Sequence, residues 1–308
     1  MVRVSFIGAG RIGQTIIYAT LMSGAIDEAI VMDIVPNVPD RMKDELMHAL
    51  SAEGINTRII ATNSIDKVEN SDIILISAGK PRTANQSRVD LFMDNARIIS
   101  GFAKILPSKN PNALYIMVTN PVDMMASVFM KYSGKYTISS GAQVENNRLR
   151  SFIADKLGVP VNSVNGYTGG EHGEGLSIFW DTISVNGRPF DDIAKGRLTR
   201  EEVSAYVKGI AAQIIGTLGG TSWGPATTMR DVIVSIAKNE HKVMSIAPPM
   251  KVKDEIIHVS RPTVVGNPIG PSIEKSLSDE DRVALESAAE KMYSEYKELL
   301  TNFERTTS

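Results

Sequence analysis

His172 stands in the run Gly169-Gly170-Glu171-His172-Gly173-Glu174-Gly175 and is one of only 4 histidines in the chain. An imidazole titrates near neutrality, so it can take or give a proton at working pH, and flanking glycines let backbone and substrate approach it closely. His48, His241 and His258 have no such setting. A loop histidine satisfied by a backbone carbonyl would use the same residues, so the rest of the chain has to decide between the two.

Three arginines offer the complementary chemistry. Arg82 and Arg88 fall in Ala78-Gly79-Lys80-Pro81-Arg82-Thr83-Ala84-Asn85-Gln86-Ser87-Arg88, among polar residues that suit a segment closing over a site. A guanidinium grips a carboxylate through two parallel hydrogen bonds, although either arginine alone fits an ordinary solvated loop charge. Arg148 follows Glu145 at a three-residue spacing that places both on one helix face, where the plainer reading is a first-turn acid with a surface ion pair. Asn120, in Val118-Thr119-Asn120-Pro121, would offer an amide to a substrate oxygen or simply shape the turn before proline.

A nucleotide site is expected at Gly8-Ala9-Gly10-Arg11-Ile12-Gly13, a Gly-x-Gly-x-x-Gly turn directly after one strand and before a helix. Such glycines permit a tight turn and close approach to a pyrophosphate, whose charge meets the helix N-terminus. The pattern by itself also describes a common glycine-rich turn. Asp33 adds a second element: it ends the next strand, where a carboxylate binds both ribose hydroxyls and repels a 2′-phosphate. No arginine follows it immediately, which favours NAD over NADP, with Arg41 a few residues on as the feature that keeps NADP open.

These residues need a scaffold that gathers strand ends at one edge. Short apolar runs at Val2–Ile7, Ala29–Asp33, Arg58–Ala61, Asp72–Ser77 and Ala113–Thr119 read as strands, with helical segments between them. One of those, Asp94–Leu106, is expected to stop at Pro107. Buried strands alternating with helices imply a parallel sheet covered on both faces, with ligands at the carboxyl ends. Beyond about residue 141 the pattern changes to helices mixed with alternating strands such as Leu176–Ile183 and Glu255–Ser260, closing on a helix at Asp279–Leu300. The expected architecture is α/β: a Rossmann-type parallel sheet domain over residues 1–141, then a mixed α+β catalytic or substrate domain over 142–308.

Composition narrows the partners. The 33 basic and 35 acidic residues give a net charge of -2, which offers no electrostatic footprint for nucleic acid or an anionic membrane. The absence of cysteine excludes disulfides, thiolate metal ligands and cysteine nucleophiles. No basic-then-apolar leader opens the sequence and no apolar stretch approaches membrane-spanning length, so a soluble cytoplasmic protein is expected.

Taken together, the glycine turn, Asp33, the Arg82 to Arg88 loop, Thr119-Asn120-Pro121-Val122, the Arg148 helix and Gly-Glu-His-Gly, in this order, resemble the lactate/malate dehydrogenase family nearly end to end. The resemblance implies NAD as cofactor, no metal, and reversible hydride transfer to a 2-hydroxy acid. It makes His172 the acid and base, Arg88 the group facing the carbonyl, and Arg148 the clamp on the neighbouring carboxylate. Glu145 stands where the family usually has aspartate behind the histidine, and reaches farther by roughly 1.5 Å. Arg82 occupies the selective position, where arginine points to malate and oxaloacetate. Thr83-Ala84-Asn85 departs from the Lys-Pro-Gly common there. Independently of the family, a second carboxylate enclosed in a closed site needs its own cation, and Arg82 supplies one.

The expected substrate contacts are therefore Arg82, Arg88, Asn120, Arg148, Thr221 and Ser222, the last two lining a wall. The cofactor contacts begin with Gly8, Gly10, Arg11, Ile12, Gly13 and Asp33, and continue with Ala78, Gly79, Asn95, Val118 and Asn120. The resemblance also implies a homo-oligomer, a dimer or tetramer. The nearest rival is a lactate-type or broader 2-hydroxy-acid dehydrogenase. An NAD-dependent glycosidase would call for a cysteine and a methyltransferase would leave the arginines unexplained; a non-catalytic nucleotide-binding module remains as the alternative, and turnover retained in His172→Asn would sink the catalytic role of His172.

Overall fold

Six parallel strands in the order 3-2-1-4-5-6 form the spine of the structure, a computed structural model that describes residues 1–81, 87–173 and 175–307. They are β1 (Arg3–Ile7), β2 (Glu28–Met32), β3 (Arg58–Thr62), β4 (Ile73–Ile76), β5 (Leu114–Met117) and β6 (Thr137–Ser139). Helices α1 (Arg11–Leu21), α2 (Val38–Glu53), α3 (Arg88–Lys109) and α4 (Val122–Ser133) connect them. The strand order reverses between β1 and β4, and that switch point opens a crevice beyond the carboxyl ends.

Burial of both faces explains the near-continuous apolar strands. Alternate residues feed opposite cores: Val4, Phe6, Ile73, Leu75 and Ile116 lie in one, and Ile7, Ile74, Ile76, Tyr115 and Met117 in the other. This is the two-residue period of a strand applied to a sheet with two covered sides. Phe6 and Tyr115 are completely buried, and truncating such a ring to alanine would cost about 3–5 kcal/mol.

The second half begins with α5 (Gln143–Leu157) and the antiparallel set β7 (Val164–Gly170), β8 (Leu176–Val185) and β9 (Arg188–Pro189). Three helices follow: α6 (Phe190–Ala194), α7 (Arg200–Leu218) and α8 (Trp223–Ala237). The hairpin-like pairs come next: β10 (Lys242–Ile246) bonds to β13 (Arg261–Val265), and β11 (Pro249–Val252) to β12 (Glu255–His258), before α9 (Asp279–Thr307) closes the chain. A capping box starts α7: Thr199 Oγ1 accepts the Glu202 N–H while Glu202 Oε2 accepts the Thr199 N–H.

Both large cores cross residue 141. Met229, Val232 and Ile233 of α8 pack into one and Met292, Tyr296 and Phe303 of α9 into the other, while a third core around Leu149, Val164 and Val207 lies wholly in the second half. The parallel sheet needs more apolar cover than its own crossover helices provide, and the later helices complete it.

Two elements run past their expected ends. Helix α3 includes Pro107 and stops at Lys109, capped by the Asn110 N–H and side-chain amide on the Leu106 carbonyl. Pro107 costs α3 the hydrogen bond to the Ala103 carbonyl, and the two bonds of Asn110 to Leu106 hold the last turn beyond it. The closing helix continues beyond Leu300 because Phe303 is still apolar, in register and buried. Among the described residues no helix is long and apolar enough to cross a membrane.

Candidate active site

The glycine turn sits at the switch point of the sheet. Gly8 has φ +101°, and a Cβ there would lie 2.6 Å from the Ala78 nitrogen beyond β4; one on Gly13 would lie 2.1 Å from the Gly8 carbonyl oxygen. Packing alone therefore demands glycine at both positions. Gly10 is different: nothing lies within 4 Å of its Cβ position, so the middle of the turn faces open space at the N-terminus of α1. A pyrophosphate fits this arrangement, with free room over Gly10 and helix N–H groups aimed at it.

Asp33 is fixed beside the turn. Its Oδ2 accepts the Ala9 N–H at 2.7 Å and its Oδ1 the Val35 N–H at 2.9 Å, leaving a lone pair on each oxygen for ribose hydroxyls. Arg41, the residue that kept a 2′-phosphate open, pairs with Asp44 at 2.8 Å and lines an outer groove with Gln14 and Tyr18.

Two of the expected cofactor residues do other work with their side chains. Arg11 reaches away from the turn, donating to the Leu218 carbonyl at 2.6 Å and Ser222 Oγ at 3.3 Å, because the α7–α8 corner offers it acceptors. Asn95 is wholly buried, with its amide nitrogen on the Lys80 and Asn120 carbonyls and its oxygen taking the Lys80 N–H. It ties the segment after β4 to Asn120. Gly79 lies against it, since a Cβ there would meet Thr119 at 2.4 Å and Asn95 at 3.0 Å. Ile12, Val118 and Asn120 border a small cavity of about 160 Å³.

His172 borders the same cavity, as do Arg148 and Thr221. The histidine lies in the turn between β7 and β8, its side chain 28% exposed. Nδ1 is 3.1 Å from Glu145 Oε2, and the other carboxylate oxygen accepts from Arg148 Nη1 at 3.0 Å. Glu145 spends its extra methylene by lying between the histidine and the arginine of its own helix, with its side chain 2% exposed. Nε2 has no hydrogen-bond partner among the described residues.

The electrostatics follow from this packing. Burial opposes charge on the imidazole, but the Coulomb attraction and hydrogen bond of Glu145, with help from Asp123 and against Arg148, raise His172 to about 9. Burial likewise pushes Glu145 up; His172 and Arg148 more than offset it, so its carboxyl ends below the usual range.

Other expected site residues fall elsewhere. Arg88 opens α3 with Nη2 on Glu171 Oε1 at 2.8 Å and Nη1 on Glu295 Oε1 at 3.2 Å, outside the lining of the cavity. Two carboxylates near a guanidinium hold it there. Ser222 lines a wider groove beside the cavity and not the cavity itself. Arg82 lies outside the described residues, as do Thr83, Ala84 and Asn85. Gly169 serves packing, since a Cβ there would meet the Phe179 ring at 2.5 Å and the Ser260 carbonyl at 2.6 Å, whereas Gly173, directly after the histidine, has φ +102° and nothing within 4 Å of its Cβ position.

Asp123 is the group that sequence reasoning missed. Its Oδ2 accepts the His172 backbone N–H at 3.2 Å, although the only local signal was an acid in the first turn of a helix. Among the described residues no group of three or more His, Asp or Glu side chains is arranged to hold a metal ion.

Comparison with known proteins agrees with this geometry. Residues 2–138 match the NAD-binding domain of lactate/malate dehydrogenases, and residues 143–303 match their alpha/beta C-terminal domain. The chain belongs to the lactate/malate dehydrogenase family. Within this lactate/malate dehydrogenase family it is similar to a malate dehydrogenase of Sulfolobus acidocaldarius, 51% identical over 100% of both chains. A malate dehydrogenase of Sulfurisphaera tokodaii is 50% identical over 99% of this chain and 98% of its own. Among solved structures, malate dehydrogenase from Plasmodium falciparum superposes with a TM-score of 0.91 at 26% identity, covering 98% of this chain and 100% of that one. As in the rest of the lactate/malate dehydrogenase family, the N-terminal half binds NAD.

Proposed function

We propose that this chain oxidises (S)-malate to oxaloacetate with NAD, and runs the reverse reaction. The observation that carries the reading is the line Arg148–Glu145–His172, with His172, Arg148, Asn120 and Ile12 of the glycine turn bordering one cavity. Two relatives at about half identity over nearly the whole chain are named malate dehydrogenases, which supports the dicarboxylate over lactate.

NAD supplies the hydride acceptor when bound. In the direction of oxidation, neutral His172 takes the C2 hydroxyl proton at Nε2, and Glu145 stabilises the imidazolium that forms. Arg148 holds the C1 carboxylate and Asn120 orients the C2 oxygen. Arg88 exchanges Glu171 and Glu295 for the developing carbonyl oxygen. Arg82 takes the C4 carboxylate, a role supported by its chain position and by the charge a second carboxylate requires. Asp33 binds the ribose hydroxyls and excludes a 2′-phosphate.

The reading extends to a homo-oligomer and to a cytoplasmic location. Support for self-association comes from α7, where Val203 and Val207 are the buried residues while Ile215 and Leu218 are half exposed, and from the neighbouring Trp223, 76% exposed. Sedimentation equilibrium tests the first and cell fractionation the second. Initial rates with oxaloacetate and pyruvate, each with NADH and NADPH, test the activity: fast turnover is expected only with oxaloacetate and NADH, and a preference for pyruvate would overturn the assignment.

A further inference from the structure

We propose that Arg11, although it stands inside the glycine turn, is a positioning residue for the substrate wall: its guanidinium pins the corner between α7 and α8 and so holds Thr221 against the cavity that His172 borders. The inference rests on the proposed reading of that cavity as the oxaloacetate site.

Arg11 is the first residue of α1, directly after Gly10. A cation there would ordinarily be assigned to the pyrophosphate, but the N–H groups of the helix N-terminus already meet that charge. The side chain leaves the turn instead. Nη2 donates to the Leu218 carbonyl at 2.6 Å and Nε to Ser222 Oγ at 3.3 Å, 207 and 211 positions along the chain. Leu218 ends α7, where the last carbonyls have no partner within the helix and carry the negative end of its dipole. A guanidinium satisfies one of them and is itself favoured in that field.

The corner is shaped to receive it. Gly219 has φ +72°, and a Cβ on it would lie 3.1 Å from Arg11 Nη1. One on Gly220 would lie 3.3 Å from the same atom, with Cζ and Nε next nearest. Two successive glycines leave the space that the guanidinium fills. From Gly219 to Ser222 the chain forms neither helix nor strand, so bonds from outside the segment decide where it lies. Thr221 falls within this stretch, between the two residues that Arg11 touches. It lines the small cavity with His172 and Arg148, and also the wider groove with Arg11. Loss of the guanidinium therefore frees the substrate wall while the helix N–H groups stay in place for the cofactor. Ordering that wall on each binding event would weaken substrate affinity.

The test compares NADH binding, followed by fluorescence of the bound cofactor, with steady-state reduction of oxaloacetate by the full chain. Arg11→Met, which keeps the apolar stem, is expected to raise KM for oxaloacetate about tenfold, with kcat and the NADH Kd each within about twofold of wild type. Arg11→Lys can reach the Leu218 carbonyl but lacks the fork that also takes Ser222, so it should recover part of the loss. Gly220→Leu crowds the guanidinium from outside the glycine turn and should reproduce the rise in KM, and the double variant with Arg11→Met should cost no more than either change alone. NADH binding weakened as much as oxaloacetate would return Arg11 to the pyrophosphate and overturn the proposal. A fall in kcat with KM unmoved would overturn it too, leaving only a structural brace. Should Arg11→Met fail to fold, an unmoved KM in Gly220→Leu would do the same. If wild type turns over pyruvate in preference to oxaloacetate, the substrate reading fails, and a rise confined to the KM of pyruvate in Arg11→Met would still uphold the role of Arg11.

Discussion

Glu145 and His172 face each other at 3.1 Å between Oε2 and Nδ1, and the carboxylate is far the more enclosed, 2% against 28% of side-chain surface. A buried anion against a partly open imidazole stabilises the protonated ring and occupies Nδ1, leaving Nε2 for a substrate. The raised His172 pKa of about 9 fixes the direction of the pH dependence. Reduction of oxaloacetate uses protonated His172, so its kcat/KM should stay level through neutrality and fall tenfold per pH unit above about 9; oxidation of malate should climb to the same point. Glu145→Gln should bring that break down toward the ordinary 6.5, and His172→Asn should lower kcat by about 10²–10⁴. Steady-state pH profiles in both directions check this, and a break that ignores Glu145→Gln would contradict the pairing.

Arg82→Gln should weaken kcat/KM for oxaloacetate by about 2–5 kcal/mol, roughly thirtyfold or more, and improve pyruvate reduction. The C4 carboxylate loses its cation while a methyl group no longer faces an unpaired guanidinium. Parallel kinetics with the two substrates decide it. An unchanged ratio would remove Arg82 from the substrate site.

Asp33→Ser should raise KM for NADH by roughly tenfold or more, from the loss of charged hydrogen bonds to the ribose, and should make NADPH usable. Asp33 already anchors Ala9 and Val35, so a modest loss of thermal stability should accompany the change. Rates with both cofactors distinguish a binding role from a merely structural one: equal losses for NADH and NADPH would indicate only structure.

His258 is wholly buried, with Nε2 donating to the Thr137 carbonyl at 2.9 Å and Ser127 at its other nitrogen. Burial drives its pKa down to about 4, so below the unfolded value of 6.5 the unfolded chain binds more protons than the folded one. Its contribution to stability is therefore lost as pH falls from about 6.5 to 4, by on the order of 3 kcal/mol. Asp123 acts in the opposite sense over part of that range, since its raised pKa favours the folded state as it protonates. Comparing urea midpoints of wild type and His258→Gln at pH 7 and 4.5 isolates the histidine. The variant should start less stable and lose less, and equal slopes would refute the account.

The sequence by itself determined what depends on neighbours along the chain. The apolar runs of β1 to β5, with their two-residue alternation, announce a sheet buried on both faces, and the glycine turn with Asp33 announces where its ligand goes. Those signals are local, because strand period and turn geometry are set within a few residues. Tertiary structure decided which distant groups meet. Glu145 meets His172 across 27 positions and Asp123 meets it across 49, and nothing in a first-turn aspartate's sequence setting indicates that its hydrogen bonds leave its own helix. Arg88 rests on Glu295, 207 positions away, and Arg11 on Leu218, also 207 away, because a long flexible cation takes whatever acceptors packing brings within reach. The same holds for α8 and α9, which cover the first half's sheet although they belong to the second half of the chain. Sequence assigned the chemistry to residue types, and the fold chose their partners through burial, which makes each paired charge matter.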